Sequence, residues 1–114
     1  MHELAVTQSL YDMVIKGAEP YPEAKVCTVH IKMGKCYDYV PEIMQEYFAM
    51  FAEGGPAEGA KLEVEWIPTT IYCLDCEEKM ESIFADRCCP KCGGRKIRVM
   101  TGKEFYIDRM EIEE

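Results

Sequence analysis

The sequence predicts a small α/β (α+β) fold, a little sheet with two helices, interrupted late in the chain by an inserted four-cysteine domain. Three observations predict it. Two segments repeat apolar residues at helical spacing, several others alternate them, and two Cys-x-x-Cys pairs occupy a stretch poor in large aliphatics. With 114 residues, the chain has room for one compact domain or one domain with a small satellite.

The first segment is a helix. Val6, Leu10, Met13, Val14 and Gly17 fall on one helical face, and Gly17, Pro20 and Pro22 are expected to end it. Lys25 to Met33 then alternates. Cys27, Val29, Ile31 and Met33 form the inward face, and Thr28, His30 and Lys32 the outward one, so the run reads as a half-buried strand closed by Gly34. On this reading Cys27 is a core residue and His30 a solvated one. Pro41-Glu42 opens a second helix, with proline at its first position and an acid in its first turn. Its apolar face is Met44, Tyr47, Phe48 and Phe51, and Gly54-Gly55-Pro56 closes it.

A further strand follows, with Leu62, Val64 and Trp66 opposing Glu63 and Glu65. Pro68 marks a boundary. From Cys73 to Cys92 the segment has too little apolar surface to fold by burial alone and needs a staple. Strand character returns at Ile97 and Val99, and Thr101-Gly102-Lys103 makes a turn. In the last run Phe105 and Ile107 share one parity and Met110 and Ile112 the other, so the buried face flips along it. The last strand is therefore expected to leave the cysteine module and rejoin the N-terminal sheet. That divides the chain into an α/β domain, residues 1–68 and 104–114, and a cysteine domain, residues 69–103.

Composition excludes several functions. There are 13 basic residues against 21 acidic ones, a net charge of −8. Nucleic-acid binding needs clustered cations to neutralise phosphates, so none is expected. No apolar run reaches the length of a membrane span, and the N-terminus has no basic-then-apolar leader, so the expected location is cytoplasmic. No Ser/His/Asp constellation, phosphate loop or open-site zinc motif is present, so the chain is not read as an enzyme.

Chemistry concentrates in two places. Cys73-x2-Cys76 and Cys89-x2-Cys92 stand twelve residues apart, the spacing of a closed, zinc-ribbon-like site. The second pair lies in Cys89-Pro90-Lys91-Cys92-Gly93-Gly94, where proline and glycine suit a tight knuckle with amides turned toward sulfur. Lys79, Arg87, Lys91, Arg95 and Lys96 could offset thiolate charge. Disulfides or a redox pair fit less well, and iron is a chemically allowed alternative to zinc. Cys88 neighbours the cluster, and Cys36 has no assigned role. The second place is the N-terminus. The amine of Met1 and the backbone amide and imidazole Nδ1 of His2 can form fused chelate rings, and Glu3 can add a donor. Such planar nitrogen donors suit Ni²⁺ or Cu²⁺. Taken alone, a terminal histidine is also simply a solvated residue.

The start Met1-His2-Glu3-Leu4, the run Val29-His30-Ile31-Lys32-Met33-Gly34, Pro41-Glu42, Glu58-Gly59-Ala60-Lys61-Leu62 and the two cysteine pairs occur in that order. In this combination the chain resembles the HypA/HybF family of hydrogenase-nickel incorporation proteins, over most of its length. The resemblance implies a nickel metallochaperone that delivers Ni²⁺ to the large subunit of [NiFe]-hydrogenase with the GTPase HypB, and in some members serves urease. It implies an α/β nickel-binding domain with an inserted zinc domain, His2 as main nickel ligand beside its neighbouring backbone nitrogens and Glu3, and a structural zinc on the four cysteines. The expected assembly is a monomer or homodimer. Many members carry an acid just before the Pro-Glu pair, where this chain has Val40. The competing function is a zinc-ribbon adaptor that mediates protein or nucleic-acid contacts.

Overall fold

A computed structural model describes residues 3–81 and 88–114 of the chain. Met1, His2 and Arg87 lie outside the described residues. The elements are α1 (Glu3–Ala18), β1 (Lys25–Gly34), α2 (Pro41–Ala52), β2 (Lys61–Ile67), β3 (Thr70–Cys73), β4 (Glu78–Glu81), β5 (Ile97–Thr101) and β6 (Phe105–Glu113). They form two three-stranded sheets, in the orders β2-β1-β6 and β4-β3-β5. The α+β fold with a four-cysteine insertion is thus observed, and the last strand does return beside β1. No described helix is long and apolar enough to cross a membrane.

The chain divides into two compact units. The first takes in Met1–Ile31, Asp38–Glu65 and Ile107–Glu114, and the second Lys32–Tyr37 and Trp66–Tyr106.

In the first unit α1 and α2 pack together, with Leu10, Val14, Met44, Phe48 and Ala52 buried. Tyr11 meets Phe48 edge-on, ring centroids 5.8 Å apart. The buried stripe of α1 is Glu3, Thr7, Leu10, Val14 and Ala18. It is rotated from the expected one, because Met13 is exposed and Thr7 turns inward. Among the described residues the Thr7 hydroxyl has no hydrogen-bond partner. Gly17 does not end α1. The helix runs on to Ala18, which is buried, and Pro20 then prevents continuation.

Val40 is extended at the start of α2, as a residue before proline must be. Gln45, on α2, receives the Leu62 amide at 2.8 Å and donates to the Ala60 carbonyl at 3.1 Å, which fixes the entry into β2. In β1, Val29 and Ile31 are buried as expected, but Cys27 is only half-buried and Val26 takes the inward place. The Val26 amide, bonded to the Pro56 carbonyl, holds that segment so that Cys27 Sγ instead lies 3.7 Å from Glu113 Oε2. His30 is half-buried as well, and its Nε2 donates to Glu111 Oε2 at 2.6 Å. In β6 the parity switch is observed: Asp108 and Arg109 are exposed in succession, between Ile107 and Met110.

The second unit contains two four-residue strands, β3 and β4, that alternation alone does not reveal. Among the described residues its largest fully buried side chains are Ile71 and Met33, with Cys73 and Cys89.

Candidate metal centre

Four cysteines from four sequence positions converge in the second unit. Cys73 ends β3 and Cys76 follows across a tight turn, while Cys89 and Cys92 come from the second knuckle. Their Sγ atoms all lie within 4.8 Å of one another, and this is the only such group among the described residues. Cys73 Sγ is 3.6 Å from Cys92 Sγ, and Cys76 Sγ is 3.8 Å from Cys89 Sγ. A tetrahedral thiolate site with bonds near 2.3 Å has edges of about 3.8 Å, so the cluster has the dimensions of a closed four-sulfur site. Cys73 and Cys89 are buried, Cys76 is half-buried and Cys92 is exposed.

The two knuckles share a local design. In the first, the Cys76 amide points at Cys73 Sγ at 3.5 Å, and Glu77 takes a left-handed φ of 54°. In the second, Gly93 takes that place at φ 74°, and its amide donates to the Cys89 carbonyl at 2.9 Å. The Cys89 amide in turn donates to the Gly94 carbonyl. A Cβ at Gly94 would displace the carboxylate end of the exposed Asp75 side chain and come within 3.3 Å of Cys92 Sγ. The two glycines thus differ, positive φ at Gly93 and a close approach to Cys92 Sγ at Gly94.

The electrostatics match a site that receives a cation. The amides of Cys92 and Lys91 stabilise the Cys89 thiolate, and its pKa falls to about 7. Hydrogen bonding with Cys73 and burial push the Cys76 thiol up to about 12. Cys92 receives the Gly94 amide, yet the neighbouring thiol of Cys73 and burial outweigh it, so its pKa is raised. Four thiolates cannot crowd together without a positive charge among them. Thiolate is the ligating form, so protons compete with metal and falling pH must weaken binding. Uptake of Co²⁺ by the metal-free protein at pH 7 is therefore expected to release roughly three to four protons per ion, read from the buffer dependence of the calorimetric heat.

The cations foreseen around the cluster are only partly available to it. Lys91 Nζ is 2.6 Å from Glu78 Oε2, a pairing that raises the lysine pKa. Arg87 lies outside the described residues. Cys88 is half-buried and stands apart from the four-cysteine group. Cys36 is exposed, its Sγ 3.5 Å from Thr69 Oγ1.

Of the N-terminal donors, Met1 and His2 lie outside the described residues, and Glu3 is described. Glu3 is the first residue of α1 and is almost fully buried. Its Oε2 accepts the Val40 amide at 3.0 Å. Its own backbone amide first, and the Val40 amide in addition, lower its pKa. The carboxylate thus ties the start of α1 to the start of α2, at the position where many resembling proteins carry an acid and this chain has Val40. No periodicity reveals a bond across that sequence distance.

The family model described as hydrogenase/urease nickel incorporation, metallochaperone, hypA matches residues 1–112. The chain is 36% identical over 114 residues to hydrogenase maturation factor HypA of Caldanaerobacter subterraneus subsp. tengcongensis, covering 99% of this chain and 100% of that one. It is 30% identical over 113 residues to its counterpart in Rhodopseudomonas palustris, with the same coverage. The solution structure of the Ni metallochaperone HypA from Helicobacter pylori has the same fold, with a TM-score of 0.66 at 20% identity, covering 98% of this chain and 97% of that one. A second solution structure, of a HypA protein, gives 0.68 at 21% identity, covering 99% and 97%.

Proposed function

The chain belongs to the HypA family of hydrogenase/urease nickel-incorporation metallochaperones, and we propose that it carries Ni²⁺ at its N-terminus as cargo and holds a structural Zn²⁺ on its four cysteines. The observation that carries the reading is a family match that begins at residue 1 and runs through both cysteine pairs. Cys73, Cys76, Cys89 and Cys92 hold zinc. The donor set favours it, since four thiolates close the coordination shell and leave no position for substrate. The ion supplies folding energy there, and redox-inert Zn²⁺ suits that role better than iron.

Nickel is the transferred ion. Its donors are the Met1 amine, the His2 amide and imidazole, and Glu3. A terminal site suits transfer, because chain ends exchange partners readily. The Glu3 carboxylate already serves α1 and α2, so on this reading its backbone nitrogen is the donor closer to hand. The recipient is the large subunit of [NiFe]-hydrogenase, approached together with the GTPase HypB, and urease maturation is a second destination within the family's range. Seven reduced cysteines fit a reducing, cytoplasmic setting.

The test is a Ni²⁺ titration of the tag-free, zinc-loaded protein, followed by optical absorption, with zinc measured on the same sample. One Ni²⁺ per chain beside one retained Zn²⁺ is expected. His2→Ala should weaken nickel by more than about a hundredfold, beyond what loss of an outer-shell partner costs, and leave zinc unchanged. Unaltered nickel affinity in that variant removes the N-terminal site. No specific nickel uptake at all, with zinc retained, leaves the zinc-ribbon adaptor in its place.

A further inference from the structure

Charge is divided unevenly along this chain. The second unit holds nine of the 13 lysines and arginines but only six of the 21 acids, so it is net positive within a protein of net charge −8.

Strand register gathers part of that charge on one face of the sheet β4-β3-β5. Ile71 pairs with Met80 and Val99, and these form the inward face. One residue on, Tyr72 pairs with Lys79 on one side and Arg98 on the other. The Leu74 amide donates to the Lys96 carbonyl at 2.8 Å, which carries the pairing with β5 one step past Cys73. Tyr72 on β3 and Leu74 just after it thus form an apolar ridge, framed by Lys79 on β4, by Arg98 on β5 and by Lys96 just before β5. Tyr72 is half-buried, while Leu74 is 51% exposed and the three cations are exposed. The register shift between Thr70 and Ile71 places Met100, 48% exposed, as the extra residue beside the same ridge. Among the described residues Lys79, Lys96 and Arg98 form no ion pair, in contrast to Lys91, which is paired with Glu78. Glu81 stands at the far end of β4 as the one acid of the row.

We propose that this face docks an acidic segment of a partner protein that carries apolar side chains among its carboxylates. Apolar contacts on the ridge would supply affinity, and the flanking cations would set the sign of the partner. A nucleic acid fits less well. It would find one aromatic for stacking, exposed aliphatics with nothing to contact, and a strongly acidic remainder of the chain to repel its phosphates.

The test uses the full-length, metal-loaded protein and a fluorescein-labelled peptide, two repeats of Asp-Glu-Leu-Asp-Glu-Phe. Controls are the same peptide with lysine for each acid, and a single-stranded oligothymidylate. Saturable, salt-sensitive binding of the acidic peptide is expected, with amide shifts concentrated on Tyr72, Leu74, Lys79, Lys96 and Arg98. Lys79→Glu with Arg98→Glu should weaken it about tenfold. Lys16→Glu with Lys61→Glu, both exposed in the first unit, should leave it unchanged. Metal content is measured on each variant to verify the fold. Absence of saturable binding, shifts elsewhere, equal loss in both variants, or tighter binding of the oligonucleotide would overturn the proposal. So would self-association at low salt that the Lys79/Arg98 variant abolishes, which would assign the face to a second copy of this chain.

Discussion

Cys73→Ser is expected to empty the four-cysteine centre and unfold the second unit while the first unit stays folded. Cys73 is fully buried, ends the central strand of its sheet, and lies 3.6 Å from Cys92 Sγ. Serine offers a hard oxygen that stays protonated at neutral pH, in a place where a soft thiolate is needed. The stakes follow from the size of the core. Besides the cysteines, the fully buried large side chains of this unit are, among the described residues, Ile71 and Met33. A structural zinc site contributes roughly 10–16 kcal/mol of apparent binding energy, as much as the whole stability of a typical domain. Metal content should fall from one ion per chain to near zero. Amide resonances of residues 66–106 should lose dispersion while those of 41–65 keep it. Cys36→Ser, at an exposed thiol outside the cluster, should retain the ion. Full metal retention in Cys73→Ser would remove Cys73 from the ligand set.

The cluster was legible because its information is local. Four identities and two spacings suffice to name Cys73, Cys76, Cys89 and Cys92, whatever the chain does between them. The long elements were legible for a similar reason, since α2 and β1 repeat their apolar residues over enough length to show a period. What stayed hidden depends on distant partners. Strands β3 and β4 have four residues each and one large aliphatic apiece, Ile71 and Met80, so no period can form. Their pairing registers, and the ion that the cysteines are built to hold, define them. The rotation of the α1 stripe has the same character. Glu3 is drawn inward by the Val40 amide, and the face that follows is Thr7, Leu10 and Val14, not the more apolar one through Met13. Cys27 lost its expected core place to Val26 through a bond to Pro56, which no alternation pattern contains.

Gly34 is a residue whose type is visible in the sequence and whose reason is visible only in the structure. Read from sequence, it ends a strand. In the structure it is buried at the end of β1, where its amide donates to the Glu104 carbonyl at 2.7 Å. The next two amides continue the pattern, Lys35 to the Ile67 carbonyl and Cys36 to the Gly102 carbonyl, each at 2.9 Å. All of these residues belong to the second unit. A Cβ on Gly34 would overlap the Gly102 carbonyl and approach the Lys103 nitrogen to 2.6 Å. Neither obstacle is a flexible side-chain end. Gly102 cannot easily yield, because its φ of +111° and the nearby Thr69 side chain already require glycine there. Gly34→Ala must therefore push two main-chain segments apart and break buried amide bonds, each costing about 1–3 kcal/mol when left unsatisfied. A loss of roughly 3 kcal/mol or more in urea unfolding is expected. Gly54→Ala is the matched control. Gly54 has the positive φ that Gly34 lacks, +78°, and open space around it, so it should cost only the left-handed penalty of about 1–2 kcal/mol. If Gly34→Ala lost no more stability than Gly54→Ala, the main-chain obstacle at Gly34 would be ruled out as a large effect. A larger loss at Gly34, with metal affinity reduced in parallel, would show that the cysteine centre depends on a main-chain crossing far from any of its ligands in sequence.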